Sequence, residues 1–71
     1  MSIIYPNLYK KLSEKGISFE NLGDMLGVST EDVCNKMSGM LPWSLAEAVS
    51  ICKLLHTSDV KKLFVQLDSN T

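Results

Sequence analysis

Two thiols, one imidazole and eight carboxylates are the groups in this chain with covalent or metal chemistry to offer. Their spacing points away from both. A zinc site needs about four ligands, and Cys34 and Cys52 have only His56 as a further soft ligand, so both read as reduced thiols. A nucleophilic thiol needs a base or a cation beside it. Cys34 instead follows two acids, Glu31 and Asp32, with neither a base nor a cation beside it in the pattern. His56 ends an apolar helical pattern, where a polar group caps carbonyls. No Gly-rich phosphate loop and no carboxylate pair in a plausible cleft can be found, so the expectation is a non-enzyme with no cofactor and no small-molecule ligand. What remains between positions 29 and 38 is a set of hydrogen-bonding and charged groups, Ser29, Thr30, Glu31, Asn35, Lys36 and Ser38. Such side chains recognise a partner rather than react with it.

The elements that would position them read as five helices. The first runs from Pro6 or Asn7 to Lys15, with proline in its first turn, a Leu8/Leu12 stripe and Gly16 as its stop. Ser18 caps a second helix, about Phe19 to Leu26, whose apolar face is Leu22, Met25 and Leu26. Gly27 can take the left-handed conformation that ends it. Ser29 then caps a third helix, about Thr30 to Ser38, which turns Val33 and Met37 inward. Two short helices with only Gly27-Val28-Ser29 between them must cross steeply, so residues 18–39 spell a helix-turn-helix. After an apolar loop, Gly39 to Trp43, the pair Ser44 and Glu47 makes a capping box for a fourth helix with Leu45, Ala48, Ile51 or Cys52, and Leu55 on one face. Trp43 sits where an apolar residue staples the first turn. Ser58 opens a fifth helix with apolar positions Val60, Leu63, Phe64 and Leu67, and the tail Asp68 to Thr71 should fray. Met37 and Met40 serve as core and loop filler, as does Met25.

At 71 residues, 45% hydrophobic and 21% charged, the chain is long enough for one helical core and not for two. It has no apolar run of membrane-spanning length and no signal-peptide order at its start, so the cytoplasm is the expected compartment. Seven lysines, no arginine and eight acids give a net charge of −1. Lys10, Lys11 and Lys15 cluster on one helix and Lys61 and Lys62 on another, as either a basic patch or solvated faces.

The segment GISFENLGDMLGVSTEDVCNKMSGMLPWSLAEAVSICKLL resembles the XRE, Cro and phage-repressor helix-turn-helix domains. The likeness rests on Gly23 in helix two, Gly27 in the turn, Val33 in helix three, Gly39 after it and the Pro42-Trp43-Ser44-Leu45 lead into helix four. It implies an all-α, five-helix lambda-repressor-like DNA-binding domain and a small transcriptional regulator, a repressor of the Cro-like kind from phage or prophage, with double-stranded operator DNA as partner. It also implies base-reading positions at Thr30, Glu31 and Asn35 and a phosphate contact at Ser38, with Ser29 as a further phosphate candidate and Lys36 as one if it turns outward, a position the family more often buries. Asn suits the paired donor and acceptor of adenine, and a carboxylate can accept from a cytosine amino group.

Departures from the family pattern open a second reading. Phe19 stands where many members have a Gln that touches the DNA backbone, and Met40 and Leu41 fill a loop that is often basic. Glu31 and Asp32 bring two negative charges to the tip of the recognition helix, although acids in a first turn also complement the helix dipole. The alternative is therefore a protein-interaction module on the same fold. The apolar-rich run Leu63, Phe64, Val65 and Leu67 offers more apolar side chains than one helical face hides, either for a homodimer or for packing back near Ile3, Ile4 and Tyr5.

Overall fold

A computed structural model describes residues 2–67. It is all-helical, with α1 (Pro6–Glu14), α2 (Phe19–Leu26), α3 (Thr30–Met37), α4 (Leu45–Leu54) and α5 (Val60–Leu63), and no strand among the described residues. The Cα radius of gyration of 11.3 Å matches the roughly 11 Å of one folded unit of this length. The tail expected to fray, Asp68 to Thr71, lies outside the described residues.

Helix starts follow side-chain oxygens that satisfy free amides of the first turn. Ser18 and Ser44 each form a reciprocal box, the first with Asn21 and the second with Glu47. Ser29 Oγ accepts from the Asp32 N–H at 3.0 Å without a return bond from the Asp32 side chain. Helix ends repeat a second device, in which two amides beyond the last turn donate back to its free carbonyls and the residue between adopts a left-handed backbone. At α2 the Val28 N–H reaches Gly23 O at 2.9 Å while Gly27 sits at φ 75°. At α4 the same role falls to His56, at φ 54°, with the Thr57 N–H on Cys52 O at 3.0 Å. His56 is thus a backbone corner with an exposed ring.

Leu8, Leu12, Leu22, Val33, Met37, Ile51 and Leu55 are fully buried and bring α1 to α4 onto one core. α2 packs chiefly on α3. Two expected core positions are not in it: Met25 is 53% and Leu45 77% exposed, because each lies beside the inward stripe of its helix rather than on it. α5 also departs from expectation. Asp59 rather than Ser58 caps it, accepting from the Lys62 N–H at 3.0 Å, and it stops after one turn. Phe64 then turns inward, edge-on to both Tyr5 and Trp43 at ring-centroid distances of 5.9 and 6.1 Å. Beyond it the chain runs along the N-terminal segment, the Leu67 N–H donating to Ile4 O at 2.6 Å and the Ile4 N–H to Met37 O at 3.0 Å. Of the four residues expected to offer a dimer surface, Leu63 is buried and Phe64 half-buried, while Val65 and Leu67 stay exposed.

Candidate recognition surface on the third helix

The turn from α2 to α3 is held tightly enough to fix where α3 points. A Cβ on Gly23 would stand 2.8 Å from Val28 O and 3.3 Å from Ser29 O, so the backbone of the turn rests directly on α2. Val33 and Met37 are completely buried and lock the rotation of α3 about its axis. The far end is held by the N-terminal segment, where Ile4 Cδ1 would meet a Gly39 Cβ at 2.7 Å.

This rotation decides which side chains reach outward. Thr30 and Glu31 are exposed at the N-terminal end of α3 and Asn35 is half-buried one turn on. No side-chain hydrogen bond involves Thr30, Glu31 or the Asn35 carboxamide among the described residues, so all three keep their full bonding capacity. The Asn35 backbone carbonyl is by contrast saturated, accepting from the Met40 N–H at 2.8 Å, the Leu41 N–H at 3.2 Å and the Ser38 hydroxyl at 3.1 Å. Ser38 is therefore committed as a donor, and Ser29 Oγ is occupied by its capping bond.

Lys36 departs most from its place among the phosphate candidates. Its ammonium turns toward α4, forms an ion pair with Glu47 and lies 5.6 Å from the Trp43 ring centroid. Both partners are largely covered, at 13% and 18% side-chain exposure. Glu47 is shared: its second oxygen accepts from the Ser44 N–H at 3.0 Å, so one carboxylate both caps α4 and ties it to α3. Burial works to raise the Glu47 pKa, but hydrogen bonds from Lys36 and Ser44, with the Lys36 charge, outweigh it and hold the group below its ordinary value of 4.5. Trp43 is accordingly a packing residue against Phe64 as well as the lid on this pair.

With Lys36 turned in, α2 and α3 present Glu20, Asp24, Glu31 and Asp32 and no unpaired cation. The positive charge lies elsewhere. Lys10 and Lys11 of α1 meet Lys62 of α5 around a cleft of about 290 Å³, with Glu14 and Asp59 also on its walls. Part of each lysine cluster thus converges, while Lys15 and Lys61 stay outside that cleft. The thiols stand apart from this surface: Cys34 is half-buried, and Cys52 is buried, its pKa pushed up by burial and by the Asp59 charge. No helix of the described residues is long and apolar enough to cross a membrane. The chain matches no family model and no curated protein in sequence comparisons.

Proposed function

We propose that the protein is a sequence-specific DNA-binding regulator of the Cro and XRE type on a lambda-repressor-like fold, with α3 as the helix that enters the major groove. The observation that supports this reading is the α2–α3 unit itself. A three-residue turn is pressed onto Gly23, the inward side of α3 is sealed by Val33 and Met37, and its other side offers Thr30, Glu31 and a free Asn35 carboxamide. That is the arrangement by which a short helix is presented to base edges. Asn35 is the adenine reader, and Glu31, one turn earlier, discriminates by accepting from cytosine or by repelling mismatched sites.

Selection from a randomised duplex pool supplies the operator, and variants are then measured on it and on scrambled DNA at one salt concentration. Asn35→Ala should lose about 1 to 3 kcal/mol on the selected site and almost nothing on scrambled DNA. Glu31→Gln should tighten binding to scrambled DNA and, where the carboxylate reads cytosine, weaken the operator alone. If no sequence is enriched and neither variant alters any DNA affinity, the reading is wrong.

One observation favours a second reading, a protein-interaction module. The exposed α2–α3 surface is acidic without a free cation, and Met40 and Leu41 stand exposed in the loop that follows. A polyanion gains nothing from such a surface, whereas a protein partner can. Recovery of a protein partner that Glu31→Gln or Asn35→Ala disrupts, with DNA affinities unchanged, would establish it.

A further inference from the structure

We propose that Gln66 and Leu67 form a releasable strap that sets the order of the C-terminal end of α3, acting through Ile4. The proposal holds whatever partner α3 recognises.

The end of α3 depends on a residue far away in sequence. A helix leaves its last four carbonyls without partners inside it. In α3 those of Cys34, Asn35 and Lys36 receive amides from residues 38–41, directly after the helix. Met37 O instead receives the Ile4 N–H at 3.0 Å. The Ile4 side chain completes the clamp, since its Cδ1 lies 2.7 Å from where a Gly39 Cβ would stand. Gly39, at φ 87°, is the left-handed residue by which the chain leaves α3. Ile4 therefore holds both the final carbonyl of α3 and the turn after it.

Ile4 is in turn held from its other side. Its carbonyl accepts from the Leu67 N–H at 2.6 Å, and next to it the Tyr5 hydroxyl accepts from Gln66 Nε2 at 3.1 Å. Met37, Ile4 and Leu67 thus form one backbone relay across three segments of the chain. Its outer member is the weakest. Val65, Gln66 and Leu67 are all exposed and outside any helix, so beyond the half-buried Phe64 no apolar burial fixes them. Among the described residues, two hydrogen bonds tie this segment down. A segment with exposed side chains and so few bonds opens locally at low cost, whereas the fully buried Val33 and Met37 open only with the core. The strap can leave while Phe64 stays edge-on to Tyr5 and Trp43.

Release has a defined consequence. Without Leu67, Ile4 is fixed only on the α3 side, and its N–H parts from Met37 O more often. The turn at residues 38–41 loosens with it, and that turn supplies the amides of Met40 and Leu41 to the Asn35 carbonyl. Coupling between two sites is reciprocal. Prying Ile4 away from Gly39 must therefore also loosen Leu67.

Amide hydrogen exchange resolved by residue tests the proposal. Leu67→Pro removes the donating N–H and keeps an apolar side chain. Exchange at Ile4, Met40 and Leu41 should quicken about two- to tenfold, the worth of one backbone hydrogen bond. The Val28 and Leu55 amides, bonded at the ends of α2 and α4, should be unchanged. Gln66→Ala keeps the Leu67 N–H but frees the Tyr5 hydroxyl, and should move the same three amides less far in the same direction. Gly39→Ala presses on Ile4 from the opposite side and should quicken exchange at Leu67. Equal quickening at Val28 and Leu55 would mean that strap and core open together, which overturns the proposal. Quickening at Ile4 with Met40 and Leu41 unchanged overturns it as well, because the end of α3 would then not depend on Ile4. No change at Ile4 in Leu67→Pro, or no effect of Gly39→Ala on Leu67, would show that the two ends are not coupled.

Discussion

At the scale of single residues, Lys36 shows how one rotation separates two roles. Had it pointed away from α4, its ammonium would have been the one cation on the α3 surface; turned inward, it closes the α3–α4 junction with Glu47 beneath Trp43. The pair is mostly covered, so replacing the carboxylate by a carboxamide, whose oxygen can still accept from the Ser44 N–H, leaves a partly buried ammonium without its counter-charge. Glu47→Gln should cost about 1 to 3 kcal/mol at neutral pH. The pH dependence follows from the direction of its shift. Because folding holds the Glu47 pKa below 4.5, the carboxylate form is favoured by the fold, and its contribution is complete above that value. As pH falls through the depressed value the contribution disappears. Thermal melts between neutral pH and pH 3 should show the wild type losing stability more steeply on the acid side than Glu47→Gln. Parallel acid limbs would mean that Glu47 does not hold the junction.

At the scale of elements, the α2–α3 turn is built on the absence of one methyl group. Alanine is a better helix former than glycine by about 1 kcal/mol, so Gly23→Ala would stabilise an isolated α2. Here the added carbon would stand 2.8 Å from Val28 O, a backbone atom that cannot swing aside. Overpacking costs about 1 to 3 kcal/mol, which outweighs the propensity gain over most of that range, so the variant should be less stable by up to about 2 kcal/mol in a thermal or urea melt. A rise in stability would show that the turn does not rest on α2 this closely. This is also where the chain was most legible before its structure. α2 has the bounds its serine cap and Gly27 imply, α3 and α1 end one residue early, and Val33 and Met37 are inward as their spacing of four requires. Those signals are local: a cap oxygen, a glycine, a stripe. What they could not carry was the rotation of residues flanking a stripe. Met25 and Leu45 are apolar and adjacent to inward positions, yet only the neighbouring helices decide that they face water. The same holds for Lys36, whose partner lies eleven residues away on another helix. α5 is shorter than its apolar pattern implies for a related reason, since Phe64 and Leu67 make tertiary contacts with Tyr5 and Ile4 where the helix would have continued. For the candidate site, Thr30, Glu31 and Asn35 stand free, while Ser29 and Ser38 are already bonded within the fold.

Taken whole, the molecule is nearly neutral but divided. Its net charge of −1 hides a stretch of four acids on α2 and α3 and a lysine-bearing cleft between α1 and α5, where Asn7 Nδ2 bonds Lys62 O at 2.9 Å and draws the two helices together. Association with DNA gains its salt dependence from counterions displaced by lysines at phosphates, at about 0.9 per contact. If α3 leads into the groove, its own side chains and the loop after it offer carboxylates, serines and the apolar Met40 and Leu41, and the largest group of lysines elsewhere is the three at the α1–α5 cleft. With three such contacts, the log-log slope of affinity against salt should be no steeper than about −3. Affinity would then rest on the operator sequence more than on charge, and binding to scrambled DNA should be weak at every salt concentration. Titrating selected and scrambled duplexes from low to moderate salt measures both. A slope of roughly −5 to −9, as for proteins with six to ten phosphate contacts, would show that lysines of α1, α4 and α5 all converge on the DNA. Lys10→Gln, Lys11→Gln and Lys62→Gln, taken together, would then identify whether the cleft supplies them by how far the slope flattens.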